Sequence, residues 1–203
     1  ELPYMQKKMV EGALKTGKYC IVATQVLDSM IKNPRPTRAE VTDCANAILD
    51  GTGAISMSGE TAYGDYPREA TMTMASVMKY TEEKRDELVH FTQVPKLSGT
   101  VGNKAKSIVA QAAKIKASAV VVMSNNIALS RALAAYRPTC VVLPVGLGEH
   151  DARELMLAYA VRPILASEVS SLPFKPKETL LIVKETKKGV FAVKKGTIKD
   201  LTK

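Results

Sequence analysis

Three short stretches carry side chains able to hold an anion or move a proton. They are residues 23–30 (ATQVLDSM), 57–62 (MSGETA) and 124–126 (SNN). Each follows a short apolar run and precedes a helical pattern. Ligands sit at such places in α/β sheets and barrels, at the carboxyl ends of strands. A hydroxyl beside the N–H groups of a first helical turn can hold an anion, because those N–H groups lack partners and the helix dipole favours negative charge. Thr24, Ser58, Ser124, Asn125 and Asn126 are the candidates, with Glu60 in the second stretch. Ser, Thr and Asn are also ordinary helix caps, and spacing alone does not separate a cap from a ligand. His90 and His150 have no partner at metal or triad spacing and read as surface residues. Cys20, Cys44 and Cys140 are odd in number and far apart, so they form neither a disulfide framework nor a CxxC metal site. A reducing cytosol is the compartment that fits them.

The elements that must position these residues alternate. Residues 2–16 form a helix by the spacing of Leu2, Met5, Met9 and Ala13, with Gly17 as its stop. Residues 19–23 read as a buried strand. Residues 37–50 form a helix in which Thr37 and Glu40 make a capping box, Val41, Cys44, Ala45 and Ile48 share a face, and Gly51 ends the run. A second strand follows at 54–57. Pro67 opens a helix with Ala70, Met74, Val77 and Met78 inward. This is the rhythm of a βα-repeat protein with a parallel sheet. A Pro/Gly/Ser-bearing break at 92–103 places a domain boundary near residue 90, giving domains 1–90 and 91–203. The second half resumes the alternation: helix 104–116, strand 119–123, helix 127–136, strand 140–143, helix 149–161, a strand near Ile164-Leu165. It ends in two β-like runs, 180–183 and 190–193, about a turn at 187–189.

The chain has 203 residues, 46% hydrophobic and 24% charged, the mixture of a globular protein rather than a disordered one. No apolar run approaches the ~20 residues that span a bilayer, and residues 1–8 lack the apolar core of a signal peptide. The first residue is not Met and stands within a helical pattern, so the chain reads as a piece of a longer protein. The net charge of +9 is uneven: residues 1–90 carry −2 and residues 91–203 carry +11. A basic half invites a nucleic-acid reading. Residues 175–203 hold nine Lys and three acids, yet aromatics are only 5% of the chain, and Phe174 and Phe191 are not interleaved with the lysines as a stacking platform requires. Solvated lysines that guard edge strands explain the run. A basic interaction domain and a pure oligomerisation module stand as the alternative classes, the first marked by a steep loss of affinity with salt.

Residues 23–70, ATQVLDSMIKNPRPTRAEVTDCANAILDGTGAISMSGETAYGDYPREA, closely resemble the run that joins the seventh and eighth barrel strands of the pyruvate kinases. The family pattern is ATQML-[DE]-SM, NPRPTRAE, DVANA-[VI]-LDG and SGETA-x-G-x-YP-x-EA. Nearly every element stands here, in order and at the same spacing. The resemblance implies the last βα units of a (β/α)8 TIM barrel, followed by a separate α/β C-terminal domain with a mixed, mostly parallel sheet. It is weaker beyond residue 90, where it rests on element order and on Tyr136-Arg137-Pro138.

What the resemblance implies is a phosphotransferase of glycolysis. It moves a phosphoryl group between phosphoenolpyruvate and ADP, giving pyruvate and ATP, with Mg²⁺ and K⁺, in a cytoplasmic homotetramer. Phosphoryl transfer needs mostly positioning and neutralisation of developing charge. Thr24 matches the family's substrate-binding threonine and Ser58 its pocket serine, with Glu60 in the same loop as a catalytic candidate that is equally readable as structural. Thr24 and Ser58 suit a relay of the proton that turns enolpyruvate into pyruvate. Arg35 and Arg38 read as structural, pairing with carboxylates across an interface. The family's metal-binding acids, essential Lys and phosphate-clamping Arg come from earlier strands. The expectation is that the fragment alone is inactive, takes its Mg²⁺ and K⁺ ligands from elsewhere, and has no metal site of its own.

Many members also bind a sugar bisphosphate through a T-x-x-G-R-S loop. Counting back from Tyr136, the matching residues are Ser124, Asn125, Asn126, Ile127, Ala128 and Leu129. The loop is degenerate: Gly, Arg and Ser have become Ile127, Ala128 and Leu129, and a β-branched residue resists the backbone angles that Gly allows. The stretch 167–180 is short, and residues 186–189 make a turn too tight for an effector-closing loop. Activation by fructose 1,6-bisphosphate is expected to be weak or absent.

Overall fold

The structure, a computed structural model, describes residues 1–88, 97–187 and 190–201. The boundary read at residue 90, His90 and the tip of the turn at 188–189 lie outside these residues. The described residues form two units, one from residues 1–14 and 19–88 and the other from 15–18 and 97–201. Among them no helix is long and apolar enough to cross a membrane.

The first unit begins with α1 (Leu2–Thr16). The expected helix is there, but its face differs: Val10 is buried, while Leu2, Met5 and Met9 are exposed. Strand β1 (Ile21–Ala23) leads through a 3-10 turn (Asp28–Ile31) to α2 (Arg38–Asp50). Helix α2 is locked by side chains at its start and by a glycine at its end. Thr37 Oγ1 accepts from the Glu40 N–H at 3.3 Å, and the Thr37 N–H donates back to Glu40 Oε2 at 2.7 Å. This is the reciprocal capping box that the spacing predicts. Gly51 stops the helix at φ 102°, a left-handed conformation, and a Cβ there would come within 2.5 Å of Leu14 Cδ1.

Strand β2 (Ala54–Ser56) follows and pairs parallel with β1, with Ile21, Val22 and Ala23 opposite Ala54, Ile55 and Ser56. Thr52 Oγ1 starts the pair by donating between the Cys20 and Ala54 carbonyls, at 2.9 and 3.0 Å. The strands are less covered than the sequence predicts, since each has a single strand neighbour; Ile21 is exposed. Next come the single turn α3 (Gly59–Ala62), α4 (Pro67–Glu83) and α5 (Arg85–Leu88). Helix α4 packs on α2, and Ala70 and Met74 close over Val26, Leu27, Met30 and Cys44. That core lies directly beneath the loop after β1.

The second unit runs α6 (Gly99–Lys114), β3 (Ala119–Met123), α7 (Ile127–Ala135), β4 (Val141–Pro144), α8 (Glu149–Leu155), β5 (Leu180–Lys187) and β6 (Val190–Gly196). The sheet order is β4-β3-β5-β6. Strand β3 pairs parallel with β4 and β5, and β6 closes the edge antiparallel. Residues 119–122 of central β3 are wholly buried, as expected of a parallel strand covered on both faces. Two expectations shorten. The helix read over 149–161 ends at Leu155, and the strand read near Ile164 survives as two isolated parallel bridges, Val142 to Val161 and Val145 to Ile164. A 3-10 turn, Ala166–Ser171, occupies the short stretch before β5. Because β3, β4 and β5 run parallel, the loops after them share one end of the sheet.

Candidate functional site

In the first unit, β1 and β2 end side by side. The Thr24 N–H reaches the Ser56 carbonyl at 3.4 Å, one step beyond the ladder. The chain then turns sharply: Thr24 has φ 67° and Gln25 has φ 50°. Two successive non-glycine residues in the left-handed region, one of them β-branched, each carry a cost of about 1–2 kcal/mol. Such strain persists only where the surroundings over-determine the backbone, and here they do. Beyond Gln25 the chain is pinned three times. The Cys44 thiol donates to the Val26 carbonyl, with 3.7 Å from sulfur to oxygen. The Leu27 N–H donates to Glu60 Oε1 at 3.0 Å. Ser29 donates its N–H to Glu40 Oε1 at 2.7 Å and its hydroxyl to Glu40 Oε2 at 2.6 Å.

The second loop meets the same carboxylate. The Ser58 N–H donates to Glu60 Oε2 at 2.8 Å. Glu60 is buried, so both its oxygens face backbone donors of the two strand-end loops. Burial pushes its carboxyl up, but the N–H donors of Leu27, Glu60, Ser58 and Val26 outweigh that and hold it below the usual carboxylate range. Glu40 behaves alike: burial raises it, and the donors of Ser29 and Thr37 bring it down. Gly59 keeps the second loop tight, since a Cβ there would lie 2.6 Å from the Tyr63 hydroxyl and 2.8 Å from Ile31 Cδ1.

Thr24 and Ser58 are both exposed, and neither hydroxyl has a hydrogen-bond partner among the described residues. The arrangement is two free hydroxyls on rigid backbone at the carboxyl ends of adjacent parallel strands. It can bind and orient a polar ligand. It does not fit a divalent metal ion. Hard cations need several carboxylate or carbonyl oxygens, and the oxygens of Glu40 and Glu60 are occupied by N–H and O–H donors. The one group of clustered potential ligands among the described residues is His150, Asp151 and Glu154 on α8. Glu154 there also pairs with Arg131, and His150 is exposed, as the sequence suggests. Arg35 and Arg38 are exposed, and neither makes an ion pair among the described residues.

In the second unit, Ser124, Asn125 and Asn126 follow β3 at the shared strand end. Asn126 caps α7, its Oδ1 accepting from the Leu129 N–H at 3.0 Å. The Ser124 hydroxyl accepts from the Asn126 N–H at 3.0 Å and donates to Glu185 Oε2 at 2.5 Å. Asn126 Nδ2 reaches Glu185 Oε1 at 3.4 Å. An open cleft of about 550 Å³ lies here, lined by Met123, Ser124, Asn125, Val145, Glu185, Thr186 and Lys187. The loop's hydrogen-bonding groups therefore already hold an anion, the chain's own carboxylate. Glu185 escapes sequence reading because it stands 61 residues from Ser124. The structure brings Thr24, Ser58 and Glu60 together in one unit and Ser124, Asn125 and Asn126 in the other.

The pyruvate kinase barrel-domain family matches residues 1–71. Among curated proteins, the pyruvate kinase of Clostridium acetobutylicum is 38% identical over 175 residues, covering 84% of this chain and 36% of that protein. The pyruvate kinase of Chlamydia muridarum is 40% identical over 173 residues, covering 83% and 36%. The chain thus spans about a third of the length of these relatives. Among solved structures, a pyruvate kinase from Cryptosporidium parvum superposes with a TM-score of 0.81 at 27% identity, over 93% of this chain and 42% of that one. The pyruvate kinase from Pyrobaculum aerophilum gives 0.80 at 29%, over 96% and 46%. Alike in sequence over most of its length and alike in fold, the chain belongs to the pyruvate kinase family.

Proposed function

We propose that the full-length protein containing this chain is a pyruvate kinase, transferring a phosphoryl group between phosphoenolpyruvate and ADP. The observation that carries the reading is the pair of unbonded hydroxyls, Thr24 and Ser58, presented on pinned backbone at one strand end. Thr24 binds substrate and Ser58 belongs to the proton path of the enol-to-keto step. Residues 1–90 are the end of the catalytic barrel and residues 91–203 the C-terminal domain. Ligands for Mg²⁺ and K⁺ would come from outside these residues, and the bound ions would supply neutralisation of charge on the phosphoryl group. The assembly is a cytoplasmic homotetramer. A lactate-dehydrogenase-coupled assay tests the reading. The full-length protein turns over with Mg²⁺ and K⁺, and residues 1–203 alone do not; a silent full-length protein overturns it.

A second expectation concerns regulation. Ser124 and Asn126 are engaged by Glu185, whose charge repels a phosphate brought to the same place. Fructose 1,6-bisphosphate is expected to leave the phosphoenolpyruvate half-saturation of the full-length enzyme within twofold. A clear fall in half-saturation would contradict this.

A further inference from the structure

Glu60 is a buried carboxylate that bridges two loops through backbone alone. We infer that Glu60 is a positioning residue that clamps the loop bearing Thr24 to the loop bearing Ser58, and so fixes the separation of the two hydroxyls. The inference rests on the reading of Thr24 and Ser58 as substrate-facing groups.

The geometry is specific to a carboxylate of this length. One oxygen takes the Leu27 N–H and the other the Ser58 N–H, at 3.0 and 2.8 Å. An amide at this position has one acceptor oxygen and one NH₂ group. Whichever way it turns, one backbone N–H then faces another donor. Aspartate is one methylene shorter and falls short of spanning both. The clamp also has something to hold. Leu27 lies two residues beyond the strained pair Thr24–Gln25, and a released Leu27 lets that pair relax towards ordinary angles. Thr24 would then leave the place its strained backbone gives it. A misplacement of about 1 Å in a reacting constellation lowers turnover on the order of 100-fold. Glu60 itself needs no proton exchange with the substrate, because its oxygens point at peptide groups.

The experiment uses Glu60→Gln in the full-length protein, with steady-state kinetics, a pH–rate profile and amide hydrogen exchange at Leu27 and Ser58. The expected result is a fall in kcat of about 100-fold with a smaller change in KM. The pKa values of the profile keep their wild-type positions, and both amides exchange at least about tenfold faster. Three results overturn the clamp: wild-type kcat per folded molecule, loss of one limb of the pH profile, or unchanged exchange at both amides. If Glu60→Gln does not fold, the wild-type protein decides. Ser58 is exposed, so slow exchange of its amide reports the bond to Glu60, and exchange at the open-chain rate refutes it. If the wild-type protein shows no kinase turnover, the functional reading fails, whereas the exchange measurement still tests the clamp.

Discussion

Replacing Thr24 by glycine in the full-length protein is expected to raise stability and to lower turnover on the order of 100- to 1,000-fold. Glycine adopts φ near +67° without the Cβ clash that a β-branched residue suffers. Relief of about 1–2 kcal/mol is offset by about 0.5–1 kcal/mol for the greater entropy of glycine in the unfolded chain. The midpoint of urea unfolding should therefore rise by the equivalent of up to about 1.5 kcal/mol. The same substitution removes the hydroxyl that the pinned backbone presents. A preorganised donor or acceptor of this kind contributes on the order of 100- to 1,000-fold. Thr24→Val separates the two effects, because it keeps the branched shape and loses only the oxygen. It should lower kcat/KM comparably while leaving stability within about 1 kcal/mol. Wild-type kcat/KM in Thr24→Val would show that the hydroxyl is not used.

Glu40→Ala should be strongly destabilising. Its carboxylate accepts from the Ser29 N–H and hydroxyl and from the Thr37 N–H and hydroxyl. Loss of a helix N-terminal lock costs about 1 kcal/mol, and loss of hydrogen bonds to a charged group about 1.5–3 kcal/mol. Together these predict a loss of about 2.5–4 kcal/mol, read from denaturant unfolding. The pH dependence follows from the lowered carboxyls of Glu40 and Glu60. A carboxyl lowered by folding stabilises the native state fully above its unfolded pKa, about 4.3. That contribution disappears as pH falls from there through the folded value. Stability should therefore fall as pH drops below about 4.3, and Glu40→Ala should flatten the fall. An unchanged acid limb would mean that the four donors do not act on Glu40.

What could be read in advance was local. Thr37 and Glu40 are three residues apart, so their capping box is visible as a spacing. Gly51 follows the last apolar repeat of α2, and only glycine suits φ 102° there. Cys44 and Met74 were legible as inward residues from a 3.6-residue period. What escaped was set by distant partners. Nothing near Thr24 in the chain announces its left-handed backbone; Glu60, which pins the residue after next but one, lies 33 positions from Leu27. The first turn of α6 holds Gly99, Thr100 and Gly102, poor helix formers, and tertiary packing overrides them. Gly102 is required there, since a Cβ would lie 2.5 Å from the Leu97 carbonyl oxygen. On α1 the apolar spacing marks a helix correctly, but it does not say that Val10 is the residue covered.

The Cys44 thiol is buried on the underside of the Thr24 loop and donates a hydrogen bond to the Val26 carbonyl. Burial, with the negative charges of Asp43 and Glu40 nearby, pushes it up to about 11. Alkylating reagents attack the thiolate, so in the closed loop this sulfur is chemically silent. It becomes reactive only when Val26 lifts away and the core beneath opens. The rate of Cys44 alkylation is thus a native clock for opening of the Thr24 loop, built in without any label.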